Sequence, residues 1–313
     1  MNWSGVLGAR KPLVPVLVGP TAVGKTAVAL ALAQYWPLTV ISADARQVYR
    51  GLDIGTAKPS AAERAAVPHA GLDLVDPGQR YSAGHFARDA AGWIAALPAG
   101  RVPVVVGGTG FYVRALADGL FHEPPLEPGR RDRLRQWTGA REGLARWATR
   151  LDPGYGGGGR QRAARTVEVA LLTGQPLSWW QRHARAEGDI RPWYVRLTAP
   201  RAVLQRRIAE RIEAMLTAGL VAEVEAVLAR GVPPDARGLD AVGYRETVAC
   251  LRGALGRDAL PAAIAAATRR YARRQETWFR HQLLGAPVIT LDAGEPPAAI
   301  AARISALWDT RGT

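Results

Sequence analysis

The stretch GPTAVGKT, residues 19–26, follows a short apolar run at residues 14–18. Its spacing, G-x4-G-K-T after a predicted strand, matches the phosphate-loop template. In such a loop, backbone N–H groups at a helix N-terminus converge on phosphate oxygens, while Lys25 adds a positive charge and the Thr26 hydroxyl is placed to ligate Mg²⁺. A glycine-rich turn used for packing alone would not explain the Lys-Thr pair. The residues predicted to bind phosphate are Gly19, Pro20, Thr21, Ala22, Val23, Gly24, Lys25 and Thr26.

The composition is that of a globular protein with a core and a second lobe. The chain has 313 residues, no stretch approaches the roughly 20 apolar residues of a membrane span, and the N-terminus lacks the apolar segment of a signal peptide. Cys250 is the only cysteine, which excludes an intrachain disulfide and a cysteine-based zinc cluster. We therefore expect a cytoplasmic protein without membrane association.

The charge is strongly positive and carried by arginine. The net charge is +14, and lysine occurs at three positions only. A high pI is weak evidence for a nucleic-acid partner, whereas clustering of the arginines is better evidence. Clusters occur at 130–137, 160–165, 201–211 and 269–280, and the last of these includes three aromatic residues. Each cluster alone is equally compatible with a solvated helix face.

Strands and helices alternate in the first part of the chain. Apolar strands are predicted at 14–18, 38–44 and 102–108, with helices between them. This order predicts an α/β fold with a doubly wound parallel sheet of the P-loop NTPase type, which binds ligands at the carboxyl ends of its strands. Asp44 and Thr109 lie at two such ends. Further predicted elements are a strand at 194–200, helices at 201–231 with a break at Gly219, and a strand at 287–292.

A change of pattern near residue 120 predicts a second domain. Residues 130–190 are helical in pattern around the glycine run GYGGGG at 154–159. We therefore predict a core formed by 1–120 and 194–313, and a helical insertion domain at 121–193.

The segment ISADARQVYRGLDIGTAKP, residues 41–59, carries the second set of candidate residues. Asp44 follows a strand, so its carboxylate would either bind Mg²⁺ through water or accept a proton from a nucleophile; a helix N-cap is the structural alternative. Arg46, Gln47 and Tyr49 form a polar set suited to a base edge and its phosphates. Lys58 would either approach an anionic ligand or lie on the surface.

The third segment, GGTGFYVRAL at 107–116, places the hydroxyl of Thr109 in a glycine-flanked turn. The strand before it carries no acidic residue where a Walker B aspartate is expected. Hydrolysis of a nucleoside triphosphate is therefore disfavoured.

Seven motifs in order resemble the tRNA dimethylallyltransferases, also called tRNA isopentenyltransferases. They are GPTAVGKT, ISADARQVYRGLDIGTAKP, VVVGGTGFYVRAL, RTVEVALLTGQPLS, RIEAMLTAGLVAEV, LDAVGYRE and TRRYARRQETWFR, and the resemblance as a whole runs from about Val14 to Arg280. The resemblance implies transfer of a dimethylallyl group from dimethylallyl diphosphate to the exocyclic amino nitrogen of adenosine 37 in tRNAs that read codons beginning with U. It also implies a monomer.

The resemblance assigns roles to residues of this chain. Lys25, and Thr26 with Mg²⁺, would stabilise the leaving diphosphate, Asp44 would be the general base, and Thr109 would lie beside the acceptor amine. Arg207 or Arg211 would clamp the diphosphate, and Tyr271 or Trp278 would stack on a base. The residues implied in binding the tRNA anticodon stem-loop are Asp44, Ala45, Arg46, Gln47, Thr109, Gly159, Arg160, Gln161, Arg162, Ala163, Arg273, Arg274 and Trp278.

Three departures from the family pattern are visible. The glycine run stands where the family usually has an Asn-Asp pair, Ala45 replaces a serine, and Val23 replaces a small serine in the phosphate loop. Three other classes of function remain: a small-molecule P-loop kinase, an isopentenyltransferase acting on free adenylate, and a non-enzymatic RNA-binding module. The arginine clusters argue against the first two, and the residues of the phosphate loop argue against the third.

Overall fold

A computed structural model describes residues 11–121, 128–184, 186–283 and 287–310. Within these ranges, six parallel strands form one sheet in the order β3-β2-β4-β1-β5-β6. The three central strands are apolar and almost completely buried, as expected of a parallel sheet covered by helices. The predicted parallel sheet is confirmed. The strands are β1 Leu13–Val18, β2 Leu38–Ser42, β3 His69–Ala70, β4 Val102–Gly107, β5 Arg191–Thr198 and β6 Val288–Asp292.

The helices alternate with the strands as predicted, and glycine and proline residues account for where some of them end. Gly219 adopts a left-handed conformation (φ 98°) between two helices, as its predicted helix-breaking role requires. The first helix ends at Leu32 and is followed by tight turns, because Trp36 precedes Pro37 and a residue before proline disfavours helical backbone. The helices are α1 Lys25–Leu32, α2 Ala61–Ala66, α3 Ala83–Ala95, α4 Gly110–Asp118, α5 Pro128–Ala140, α6 Leu144–Leu151, α7 Arg160–Thr173, α8 Leu177–His183, α9 Arg201–Thr217, α10 Leu220–Ala229, α11 Tyr244–Leu251, α12 Leu260–Gln282 and α13 Pro297–Asp309.

The chain divides into two compact units. One, the core unit, comprises Met1–Ala117 and Asp189–Thr313; the other, the helical unit, comprises Asp118–Gly188. Strand β5 begins at Arg191, so its first residues belong to the core unit although they fall within the range predicted for the insertion. None of the described helices combines the length and the apolar character needed to cross a membrane.

The core unit is built on the sheet. Helices α1 and α13 pack together on one of its faces, where Leu32, Trp36, Trp193 and Ile300 are buried in one apolar cluster. Burial of these apolar side chains holds the central strands in place and thereby fixes where their carboxyl ends lie.

The helical unit has a smaller core between α6 and α7. Leu144, Ala148, Ala163 and Val167 are its buried members, and Ala163 is only 1 % exposed. The prediction that Ala163 contacts RNA is therefore wrong for its side chain, which faces the interior of the unit because it lies on the apolar side of α7.

Candidate active site

Three neighbouring strand ends create the candidate site. The phosphate loop follows β1, the turn with Thr109 follows β4, and Asp44 follows β2. In the sheet β4 lies between β1 and β2, with Val18 opposite Gly107 and Ser42 opposite Val106. Because parallel strands end at the same edge, the three segments meet there.

The phosphate loop has the backbone shape that its sequence predicts. Ala22 (φ 64°) and Gly24 (φ 105°) are left-handed, which turns successive backbone N–H groups toward the same side. The Lys25 ammonium donates to the carbonyls of Gly19 (2.9 Å) and Pro20 (2.8 Å), so it lies across the loop. Val23 is completely buried in the core, which leaves the backbone of the loop unobstructed.

The loop is strongly electropositive. Burial lowers the pKa of Lys25 to about 8; Asp44 opposes this shift, and Arg211 adds to it. Burial likewise lowers the pKa of Arg211, again opposed by Asp44. Two buried cations share one carboxylate here, so an anion bound by the loop would be favoured by the remaining positive charge.

The two candidate clamp arginines of α9 have different surroundings. Arg207 donates to the carbonyls of Val23 (3.1 Å) and Ala293 (2.8 Å), so its guanidinium braces the phosphate loop against the segment that follows β6. Arg211 lines a cleft of about 270 Å³ together with Thr21. Of the two, Arg211 has the position suited to a bound diphosphate.

Asp44 and Thr109 are held together by bonds between their turns. The Ala43 N–H donates to Val106 O (2.8 Å), the Thr109 N–H to Ala43 O (3.2 Å), and the Ala45 N–H to Thr109 Oγ1 (3.0 Å). Asp44 Oδ1 accepts the Arg46 N–H at 2.8 Å. One carboxylate oxygen therefore shapes the turn, and the side chain also lines the cleft. The alternative of a helix N-cap is wrong, because the next helix begins only at Ala61.

Thr26 lines a second, smaller cleft of about 50 Å³ with Lys25, Ser42, Asp44 and Gln47. Hydroxyl and carboxylate oxygens are ligands that Mg²⁺ accepts, and this ion commonly binds through one or two protein groups plus substrate phosphates. In the described ranges, no three His, Cys, Asp or Glu side chains are arranged to hold a metal. The residues present therefore fit an Mg²⁺ ion that would take most of its ligands from diphosphate and water.

Two polar residues of the second segment have structural partners. Gln47 accepts a hydrogen bond from Ser42 (2.9 Å) and donates to the carbonyls of Thr56 (3.3 Å) and Ala57 (3.1 Å). The Arg46 guanidinium donates to Arg237 O at 2.9 Å and also lines the larger cleft. Direct reading of a base by the Gln47 side chain would require these bonds to break.

Lys58 differs from both sequence-based alternatives. Its side chain is 1 % exposed and pairs with Asp53 (2.5 Å) and Asp73 (2.6 Å), and it also donates to Tyr49 O (2.8 Å). Arg64 pairs with Asp73 as well, at 2.9 Å. The expectation of a ligand-binding or surface lysine is wrong, because three acceptors from the same loop region satisfy the ammonium group.

Two residues that sequence reasoning missed fix the loop at 52–58. Glu223 of α10 accepts from the N–H groups of Asp53 and Ile54 (both 2.8 Å) and from the Tyr244 hydroxyl (2.5 Å). A Cβ on Gly55 would lie 2.4 Å from the Tyr244 ring. Both residues lie in motifs that carried the family resemblance, which was the one available signal.

Helix α12 borders the same cleft. Arg274 lines it with Tyr271, and its guanidinium lies 5.7 Å from the Tyr271 ring centroid. Burial, together with Asp44, raises the pKa of Tyr271 to about 12, and its hydroxyl is hydrogen-bonded to Thr109. Arg273 is exposed. Trp278 covers Gly110, where a Cβ would lie 2.2 Å from the indole, so packing already uses part of this predicted stacking residue.

The remaining predicted RNA-binding residues lie at the start of α7 in the helical unit. Gly159 is the N-cap residue of α7, and Gln161 and Arg162 are exposed. Arg160 donates to the carbonyls of Thr138 (3.1 Å) and Gly139 (2.7 Å), which ties α7 to the end of α5.

Comparisons with known proteins identify the family of this chain. The family model described as IPP transferase matches residues 47–282, and one described as isopentenyl transferase matches residues 12–69. A tRNA dimethylallyltransferase from Syntrophobacter fumaroxidans is 42 % identical over 286 residues, which cover 88 % of this chain and 84 % of the relative. One from Bordetella petrii is 43 % identical over 292 residues, covering 88 % and 91 %.

Solved structures show the same fold. The tRNA isopentenylpyrophosphate transferase from Bacillus halodurans superimposes with a TM-score of 0.71 at 31 % identity, covering 96 % of each chain. A eukaryotic dimethylallyltransferase solved while acting on tRNA gives a TM-score of 0.80 at 23 % identity, covering 96 % of this chain and 80 % of that one, and supports the fold alone. The P-loop architecture predicted from the sequence is confirmed, and the chain belongs to the tRNA dimethylallyltransferase family.

Proposed function

We propose that this protein transfers a dimethylallyl group from dimethylallyl diphosphate to the exocyclic amino nitrogen of adenosine 37 in tRNAs that read codons beginning with U. One observation carries the proposal: the phosphate loop, the Asp44 carboxylate and the Thr109 hydroxyl lie at three neighbouring strand ends. This arrangement combines a site for an anionic leaving group with a base and a polar orienting group. Family membership supports the same reaction.

Departure of the diphosphate is the first requirement of this reaction. The bond between C1 of the allyl group and the diphosphate oxygen breaks, and the oxygen keeps the electron pair. Lys25, Arg211 and the N–H groups of the loop would stabilise the charge that develops there. Their burial makes each interaction stronger than it would be in water.

Mg²⁺ fits the same region, held by Thr26 together with diphosphate oxygens. When bound, it would neutralise charge on the leaving group.

Attack by the adenine amine is the second requirement. Its lone pair is delocalised into the ring, so loss of the N6 proton during formation of the N6–C1 bond assists the reaction. Asp44 Oδ1 is engaged by the Arg46 N–H, which leaves the other carboxylate oxygen to accept that proton. Thr109 Oγ1, fixed by the Ala45 N–H, would orient the amine.

The acceptor RNA needs contacts that hold the anticodon loop while the adenosine leaves its stack, at a cost of a few kcal/mol. Arg273 and Arg274 of α12 are exposed and suited to phosphates, and Gln161 and Arg162 of the helical unit offer further polar groups. We propose that the residues of each unit contact the tRNA and that the enzyme is a monomer. The tRNA substrate makes the cytoplasm the expected compartment.

The test incubates the protein with dimethylallyl diphosphate labelled in the allyl group, Mg²⁺, and tRNA, AMP or no acceptor. We expect label in tRNA, and none in a tRNA whose adenosine 37 is replaced by guanosine. The Lys25→Ala variant is the negative control. Label in AMP but not in tRNA would support an adenylate-directed enzyme, and phosphoryl transfer from labelled ATP without allyl transfer would support a kinase; either result would refute the proposal.

A further inference from the structure

The side chain of Gln275 joins two parts of the active site. Gln275 lies within α12 and is 6 % exposed. Its Oε1 accepts the backbone N–H of Thr21 in the phosphate loop (2.8 Å), and its Nε2 donates to the carbonyl of Gly108 in the turn before Thr109 (2.9 Å). One amide group therefore bridges the diphosphate loop and the turn on the acceptor side.

The close contact with Gln275 explains why residue 108 is a glycine. A Cβ added to Gly108 would lie 2.2 Å from Gln275 Nε2 and 3.7 Å from the Gly19 carbonyl oxygen. Gly108 lies outside the left-handed region, so its backbone conformation does not require glycine. The close approach of the Gln275 amide accounts for the glycine instead.

The neighbouring turns of α12 support the same arrangement. Tyr271 is hydrogen-bonded to Thr109, and Trp278 lies against Gly110. With Gln275, these residues lie four and three positions apart and therefore share one face of the helix. This face of α12 contacts Gly108, Thr109 and Gly110 of the GGTG turn.

We propose that Gln275 is a positioning residue, which fixes the separation between the phosphate loop and the Thr109 turn and so aligns donor and acceptor for transfer. The inference rests on the proposed function. Both polar ends of the amide are used by the backbone, so Gln275 itself contacts no reacting atom.

An amide is the group that this position requires. Thr21 presents a donor and Gly108 an acceptor, so the bridge needs one acceptor and one donor at opposite ends of a planar group. Glutamate has the same shape but would present an oxygen to the Gly108 carbonyl, which leaves that buried group without its donor. Transfer between two bound substrates is sensitive to alignment, and a displacement of about 1 Å can cost about 100-fold in rate.

The first experiment compares Gln275→Glu and Gln275→Ala with Gln282→Glu and Gln282→Ala. Gln282 is an exposed glutamine at the end of the same helix, bonded to Arg114 at 3.1 Å, and makes a matched control. We expect kcat for dimethylallyl transfer to tRNA to fall about 10- to 100-fold in both Gln275 variants, with both KM values within about threefold of wild type. Thermal unfolding shows whether each variant is folded at the assay temperature.

The second experiment breaks the same contact from the other side. Gly108→Ala places a methyl group against the Gln275 amide, so we expect a similar loss of kcat. In the double variant Gly108→Ala with Gln275→Ala the clash is gone, so kcat should equal that of Gln275→Ala alone rather than fall further.

These outcomes separate the inference from the proposed function. A wild-type protein that transfers nothing to tRNA refutes both. An active wild type with unchanged kcat in folded Gln275 variants refutes the positioning role alone, as do multiplicative losses in the double variant or a rise in KM without a loss of kcat.

Discussion

Asp44→Asn should abolish most of the transfer while leaving the site assembled. Asparagine keeps the shape of the side chain and an oxygen that can accept the Arg46 N–H, the bond that shapes the turn at 2.8 Å. The bonds between this turn and Thr109 involve backbone groups of Ala43 and Ala45 and are not touched. The substitution therefore removes the negative charge and the basic oxygen, and little else.

The size of the effect follows from what those two features do. A positioned general base typically accelerates a reaction about 10²- to 10⁴-fold. We therefore expect kcat to fall about 10³-fold, which corresponds to a rise of about 4 kcal/mol in the activation barrier. The Asp44 charge also acts on Lys25 and Arg211, whose pKa values it raises against the effect of burial. Removing it lowers the pKa of Lys25 further, so the assay is run at a pH well below 8, where the ammonium stays charged. The loop is then more positive, and the KM for dimethylallyl diphosphate should stay constant or decrease.

Single-turnover transfer of labelled allyl groups to tRNA measures the chemical step, and filter binding measures tRNA affinity. Asp292→Asn is the matched control, because Asp292 ends β6 and its Oδ1 accepts the Gly294 N–H at 2.9 Å in the same local geometry. We expect the control to retain full activity and Asp44→Asn to bind tRNA within a few-fold of wild type. A single-turnover rate within twofold of wild type in Asp44→Asn would remove Asp44 from the role of base.

Three other changes test separate parts of the site. Replacing Arg273 and Arg274 by Gln should weaken tRNA binding and reduce the slope of log K against log salt by roughly 1 to 2, and an unchanged slope would make this face of α12 a solvated surface. Arg211→Gln should raise the KM for dimethylallyl diphosphate about 10- to 100-fold with tRNA affinity unchanged, because a charged hydrogen bond is worth about 1.5–3 kcal/mol. Gly55→Ala should lower the free energy of unfolding in urea by about 1–3 kcal/mol, because its Cβ would lie 2.4 Å from the Tyr244 ring; equal stability would show that the ring moves aside.

The features that the sequence predicts best are those that depend only on the order of the strands and helices along the chain. Apolar runs and the rule that ligands bind at the carboxyl ends of parallel strands place Asp44, Thr109 and the phosphate loop together without any knowledge of side-chain contacts. The structure has these three segments at the ends of β2, β4 and β1. The prediction needed only strand order along the chain and the general direction of the crossovers.

Side-chain partners are decided by loop geometry, which the sequence does not show. Lys58 looks like any polar loop residue, yet the loop folds so that Asp53 and Asp73 surround its ammonium group. Arg207 and Arg211 lie one helical turn apart on α9, and nothing in their spacing tells which one meets the loop carbonyls and which one the cleft.

The same limit explains why Gln275 was not singled out. It lies 254 residues from Thr21 and 167 from Gly108, in a helix whose arginines attracted attention to charge. Its role depends on burial between two turns, and a glutamine among arginines carries no signal of burial.

The absence of a Walker B acid on β4 has a steric cause in this structure. A Cβ at Gly107 would lie 2.1 Å from the Ala43 carbonyl oxygen, one at Gly108 would meet Gln275 at 2.2 Å, and one at Gly110 would meet the Trp278 ring at 2.2 Å. Thr109 is the one residue of GGTG with a side chain, and the three glycine positions cannot hold a carboxylate without moving their neighbours. The close contact that excludes it also draws the β4 turn against the turn of Asp44. P-loop enzymes that cleave a phosphoanhydride place an acid beside Mg²⁺. In this chain the carboxylate of Asp44 follows β2 instead, a position that suits removal of a proton from an incoming amine.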